Sequence, residues 1–186
     1  MLADDGHLEV AIIGGGITGL TLALGLLQRG VKFTIYERAQ ELREIGAGIG
    51  FTLNAERAML ALDPRIHESF RKVAVQNDDD WFRYVDGSKN DCGEPECLGD
   101  HLWLKKYLGE RGFEGCRRSD FLQELVNLIP ADSFKFTKNF VSIGDAGDGH
   151  KVRLAFADGT TENADVGTQN LSPLLEPLKS KVRVCL

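Results

Sequence analysis

Three glycines constrain this chain more than anything else in it. In "IIGGGITGLTLALGLLQRGVKFTIYERA", residues 12–39, Gly14, Gly16 and Gly19 stand in G-x-G-x-x-G spacing. The stretch before them, Leu8 to Ile13, is short, apolar and β-branched, which suits a strand buried on both faces. The stretch after them, Ile17 to Gln28, has helical character, with Leu20, Ala23, Leu24 and Leu27 on one face. Gly30 follows where a helix end takes left-handed backbone. Val31 to Tyr36 reads as a second strand that ends at Glu37, so the whole is one βαβ unit.

The spacing has a physical reading. Gly14 permits a sharp turn out of the strand, Gly16 lets a diphosphate approach the backbone, and Gly19 lets helix and strand pack closely. The helix N-terminus then faces the phosphates with its N–H groups and the positive end of its dipole. Glu37, eighteen residues past Gly19, is placed to accept hydrogen bonds from ribose hydroxyls. A glycine-rich turn alone would be weak evidence. With strand, helix, second strand and terminal acid in order, the unit predicts dinucleotide binding and leaves NAD and FAD both open.

Composition enters as a filter. With 186 residues, 42% hydrophobic and 27% charged, the chain has the make-up of a globular domain with a real core. A net charge of -6 gives no basic footprint for nucleic acid. Val10 to Leu27 carries no charge and is long enough to suggest a membrane span, but five glycines interrupt it and an acidic stretch precedes it. The expectation is no stable membrane insertion. Four cysteines (92, 97, 116 and 185) without a secretory signal fit reduced thiols and a cytoplasmic protein.

Further along, "ELREIGAGIGFTLNAERAMLAL", residues 41–62, reads as a Gly-rich turn at Gly46, Gly48 and Gly50 followed by a helix from Asn54 to about Leu62. Residues 63–80 read as a helix ending in an acidic loop at Asp78 to Asp80, and Trp81 to Val85 as a strand that turns at Asp86-Gly87. Cys92, Cys97, Cys116 and His101 lack the spacing of a metal site. In "CRRSDFLQELVNLI", residues 116–129, Ser119 is expected to cap a helix with Phe121, Leu122, Leu125 and Ile129 on its apolar face. The segment from Phe134 onward reads as a β-meander: one strand over Phe134 to Ile143, a turn over Asp145 to Gly149, a strand over Val152 to Phe156, and a tight hairpin at Asp158-Gly159.

"GGGITGLTLALGLLQRG", "IYERA", "EIGAGIGFTLNA" and "RRSDFLQEL" together resemble the FAD-dependent aromatic hydroxylases of the salicylate hydroxylase type, fungal members above all. The resemblance implies an α/β fold: a Rossmann-like FAD-binding βαβ unit with a parallel sheet plus an antiparallel β-meander, the first part of a two-domain flavoprotein hydroxylase. It implies FAD as cofactor and NAD(P)H as co-substrate. The implied reaction transfers one oxygen atom of O₂ to an electron-rich aromatic ring, in secondary or aromatic metabolism. Residues 47–50 match the segment that runs beside the flavin nucleotide in the family, which adds Ala47 and Gly50 to the cofactor-binding set. Arg118 matches the second Arg of a pair that contacts that nucleotide. The implied site is therefore Gly14, Gly16, Gly19, Glu37, Ala47, Gly50 and Arg118, with no catalytic and no metal residue. The implied partner is a small aromatic substrate, and the oligomeric state stays open.

The family pattern breaks after Val166. "GTQNLSPLLEPLKSKVRVCL" shows no second acidic-glycine motif and no strand-like run, and reads as an atypical tail from a truncation, a frame change or a retained intron. The expected division is a βαβ region over 1–75, partial substrate-side strands over 76–115, a return helix and meander over 116–166, and the tail over 167–186. On that reading the chain keeps the adenosine half of an FAD site and does not turn over substrate by itself. The alternatives are an inactive nucleotide-binding fragment or partner subunit and, more remotely, an NAD-dependent dehydrogenase domain.

Overall fold

A computed structural model describes residues 8–41, 47–76, 80–85, 102–109, 112–147 and 150–169. Gly46, Asp78, Asp79, the Asp86-Gly87 turn, Cys92, Cys97, His101, Gly149, Cys185 and the tail beyond Gln169 lie outside these residues.

The βαβ unit forms as its pattern predicts. Strand β1 (Glu9–Ile13) leads to helix α1 (Ile17–Gln28) and then to strand β2 (Lys32–Tyr36). The strands are parallel neighbours, registered from Glu9 opposite Lys32 to Ile13 opposite Tyr36. Gly30, at φ +66°, turns the chain off the helix, while its N–H donates to Leu27 O and that of Val31 to Leu26 O.

Strand β1 is covered on both sides, which is why its sequence is continuously apolar. On one face Val10 and Ile12 meet Leu20, Ala23 and Leu24 of α1 together with Phe70 and Phe121 from helices further along. On the other, Ala11 packs with Tyr36, Leu154, Phe156 and Ala164.

Two corrections arise where this sheet is completed. With β7 (Phe134–Lys135) and β11 (Val166–Gln169) its order is β11-β1-β2-β7, every pairing parallel. The expected single strand over Phe134 to Ile143 is in fact two: β7 (Phe134–Lys135) joins the parallel sheet beside β2, and β8 (Phe140–Asp145) belongs to the meander. Thr137, at φ +60°, breaks the run between them. The chain also stays extended past Val166, against expectation. Strand β11 (Val166–Gln169) pairs with β1, from Val10 opposite Val166 to Ile13 opposite Gln169. The edge of β1 supplies the partner groups. Asp165 secures the approach, its N–H donating to Glu9 O at 3.0 Å and its carboxylate accepting the Glu9 N–H at 2.8 Å.

The meander proper is β8, β9 (Val152–Phe156) and β10 (Thr161–Ala164), antiparallel throughout. The hairpin at Asp158-Gly159 forms with Gly159 at φ +80°. The Gly48 and Gly50 region is a strand rather than the expected turn: β3 (Gly48–Phe51) pairs antiparallel with β6 (Glu114–Arg117). Strand β4 (Trp81–Val85) pairs with β5 (Leu102–Tyr107) as a separate two-stranded ribbon. Among the described residues no helix is long and apolar enough to cross a membrane.

Helices α2 (Leu53–Leu62) and α3 (Pro64–Val73) follow β3, and α4 (Arg118–Val126) follows β6 directly. Ser119 does not cap α4. Arg117 is the N-cap, so Ser119 falls inside the first turn and its hydroxyl donates to Asp120. Among the described helices, α3 is the one with a side-chain cap: buried Asp63 accepts the Arg65 N–H at 2.9 Å and two further bonds from its guanidinium to Oδ2 at 3.0 and 2.6 Å. The Arg65 side-chain bonds hold the Asp63 carboxyl below its usual range. A lowered folded-state pKa gives stability that is present above the unfolded value, about 3.9, and lost as pH falls through the folded one. Asp63→Ala is expected to cost about 1–2 kcal/mol at pH 7. In urea titrations the gap from wild type should close below about pH 4; a gap that persists unchanged there would show that the carboxylate charge contributes nothing.

Candidate nucleotide site

The site lies at the C-terminal ends of β1 and β2, where parallel sheets of this kind present ligands. Gly14 sits at φ +101°, a conformation that L side chains rarely adopt, and its N–H donates to Tyr36 O at 2.9 Å. The Gly15 N–H donates to Glu37 Oε2 at 2.6 Å, and the Ala39 N–H to Glu37 Oε1 at 2.9 Å. The Glu37 carboxylate is thereby fixed against the glycine loop and half-buried at the end of β2. A carboxylate has about four acceptor positions, so two amide bonds leave capacity for ribose hydroxyls.

Gly16 is the N-cap of α1. No side chain caps this helix and no acid stands in its first turn, which leaves its leading N–H groups suited to an anion. A Cβ on Gly16 would have Arg118 Nη2, at 3.8 Å, as its nearest neighbour. Arg118 therefore reaches the glycine loop from the start of α4, which packs against α1. Its backbone explains how: the Arg118 N–H donates to Ala47 O at 2.9 Å, just where β3 and β6 pair. Arg118, held at its backbone by Ala47 from 71 positions earlier in the chain, thus reaches Gly16.

Gly19 has the close packing expected of it. A Cβ there would fall on the Gly14 carbonyl oxygen and stand 3.2 Å from its carbon and 3.3 Å from Ile12 Cγ2. Gly50 differs from the others. It lies further along β3 opposite Gly115, and the Phe113 ring covers the place a side chain would take.

A cleft of about 250 Å³ opens beside the glycine loop, lined by Ile13, Gly14, Tyr36, Glu37, Arg38, Lys138, Asn139 and Phe140. Tyr36 backs it, stacked on Phe156 with ring centroids 5.0 Å apart. Burial, with Glu162 and Glu9 nearby, pushes the Tyr36 hydroxyl up to about 12, so it stays protonated. Lys138, Asn139 and Phe140 were not anticipated as lining residues. Nothing in their spacing marks them, because they arrive through the two-residue strand β7 and its crossing to the meander.

Residues 12–43 match the NAD(P)-binding Rossmann-like domain family. The dual trans-enoyl reductase/FAD-dependent monooxygenase tazHJ of Aspergillus terreus is 56% identical over 160 residues, covering 86% of this chain and 22% of that protein. The FAD-dependent monooxygenase pigN of Monascus ruber is 52% identical over 162 residues, covering 87% of this chain and 36% of that protein. A solved salicylate hydroxylase substrate complex is 29% identical with a TM-score of 0.64, covering 86% of this chain and 34% of the other. The chain thus spans between 22% and 36% of the length of these relatives.

Proposed function

Since this chain is related to the FAD-dependent monooxygenases and spans part of their length, we propose that it forms the adenosine-diphosphate side of an FAD site. The observation that carries the reading is the convergence of two opposite charges on one glycine loop. Glu37 stands at its ribose side, and Arg118 stands over Gly16, where a diphosphate would meet the start of α1. Gly14 and Gly19 hold the loop in shape, Ala47 anchors Arg118, and Gly50 continues the same strand toward the flavin. The cleft beside Tyr36 and Lys138 has room for the base. When bound, FAD supplies the redox chemistry.

In the whole protein this site serves a hydroxylase acting on a small aromatic ring, as the name of the solved salicylate hydroxylase supports, with NAD(P)H as the reductant that the sequence resemblance implies. We place it in the cytoplasm on its composition. A second reading, a nucleotide-binding module or partner subunit without turnover of its own, is favoured by the position of every assigned residue on the nucleotide side. The 186-residue chain with FAD should therefore oxidise NAD(P)H no faster when salicylate-like phenols are added. Phenol-dependent oxidation yielding a hydroxylated product would refute the second reading.

The site itself is tested at Glu37. Glu37→Ala removes the ribose acceptor and also leaves the Gly15 and Ala39 N–H groups without theirs. Calorimetry with FAD or ADP should show affinity lower by about 1–3 kcal/mol. A carboxylate at this position also repels a 2′-phosphate, so NADP should bind this loop poorly. Unchanged ADP affinity in Glu37→Ala would take Glu37 out of the site.

A further inference from the structure

The wall of the cleft is built from an unusual piece of chain. Residues 136–139 cross from the parallel sheet to the meander, and in the middle Thr137, a β-branched residue, sits at φ +60°. Such backbone persists only where the surroundings over-determine it. They do here: the Thr137 N–H donates to Ala39 O at 3.0 Å, the Lys138 N–H to Glu37 O at 2.8 Å, and the Ala157 N–H to Asn139 O at 2.8 Å. The crossing is stitched to the backbones of Glu37 and Ala39 on one side and of Ala157 on the other.

This stitching has an electrostatic consequence. Lys138 and Glu37 line one cleft, and their backbones are directly bonded. A lysine stem is flexible enough to bring its ammonium onto a carboxylate so near. In the structure it does not go there. Lys138 Nζ lies 2.6 Å from Asp158 Oδ2 and 2.7 Å from Thr160 Oγ1, over the Phe156 ring at 5.5 Å from its centroid. Asp158 is itself set by the hairpin turn, its Oδ1 accepting the Thr160 N–H at 3.0 Å and the Thr160 hydroxyl at 2.6 Å. The result is a Lys138 side chain only 19% exposed, its ammonium paired with Asp158 rather than with the nucleotide acceptor.

We infer that Asp158 is a positioning residue for the nucleotide site: it holds the Lys138 ammonium off Glu37, keeping that carboxylate free for a ribose. The inference rests on the nucleotide reading above. Without Asp158, Lys138 turns to Glu37, pairs with it and narrows the cleft, and ribose must compete with an intramolecular cation.

Asp158→Asn is therefore expected to weaken ADP binding about tenfold. Adding Lys138→Met should restore affinity to within about twofold of wild type, because the competitor is gone. A hairpin damaged only in its folding would not be rescued by a second substitution. Glu124→Gln is the control, since its pair with Lys72, 2.8 Å long, joins α4 to α3 and neither residue lines the cleft; it should leave ADP affinity unchanged. A double variant as weak as Asp158→Asn, or an Asp158→Asn chain as tight as wild type, would overturn the inference. A crystal structure of the Asp158→Asn chain decides the point without nucleotide: Lys138 Nζ is expected within hydrogen-bond range of the Glu37 carboxylate, and Lys138 left in its original place would overturn the proposal. Failure of the wild-type chain to bind ADP would instead overturn the nucleotide reading.

Discussion

Gly19→Ala is expected to destabilise the chain by about 3 kcal/mol in urea unfolding and to abolish measurable ADP binding. Overpacking usually costs about 1–3 kcal/mol because neighbouring side chains can shift. Here the obstacle is backbone, since the new methyl would fall on the Gly14 carbonyl. Gly14 cannot yield easily: its φ of +101° and its N–H bond to Tyr36 O at 2.9 Å fix it at the end of β1. Relief must come from moving α1 off the sheet, which uncovers Leu20, Ala23 and Leu24, all fully buried. Gly16→Ala supplies the contrast. Gly16 has an ordinary φ of -75° and no heavy atom nearer than 3.8 Å to its Cβ position, so stability should change by less than about 1 kcal/mol. On the proposed nucleotide reading its methyl would stand where a diphosphate approaches, so ADP binding should still fall. If Gly19→Ala proves as stable as wild type, the helix does not sit as close to the loop as the structure has it.

The contrast shows what kind of information the glycines carried. Their roles could be read from the chain because each answers to a local steric rule, and α1 forms over the same twelve residues that the pattern predicts. The position of Glu37 against the loop was legible for the same reason: it ends a strand whose start and length are visible. Arg118 and Ala47 entered only by resemblance, since their meeting depends on β3 pairing with β6 across an interval with no periodic signal. Strands β7 and β11 show the limit most clearly. The first is two residues long, and the second, Val-Gly-Thr-Gln, is barely apolar. Both are extended because the edges of β2 and β1 offer backbone partners, a long-range cause with no pattern of its own. Ser119 misled for a smaller reason: β6 runs straight into α4, so the helix starts two residues earlier than a serine cap requires.

Phe121→Ala should cost about 4 kcal/mol in stability, the largest effect expected of a single side chain here. The ring is fully buried and makes edge-on contacts with Phe51, at 5.7 Å and 72°, and with Phe70, at 5.7 Å and 71°. These rings come from β3, α3 and α4, so the cluster joins three elements that share no local sequence. Truncation loses the burial of the ring and its edge contacts, and leaves a void the stiff neighbours cannot fill. The effect should reach the site. Phe121 lies one turn into the helix that Arg118 begins, and Phe51 ends the strand that follows Ala47, the acceptor of the Arg118 N–H. Loosening that cluster frees the guanidinium from its place over Gly16. ADP affinity in Phe121→Ala should thus fall under conditions where circular dichroism still reports a folded chain, and it should fall less in an Arg118→Ala background. Full additivity of the two substitutions would mean that the aromatic cluster supports the fold without aiming Arg118.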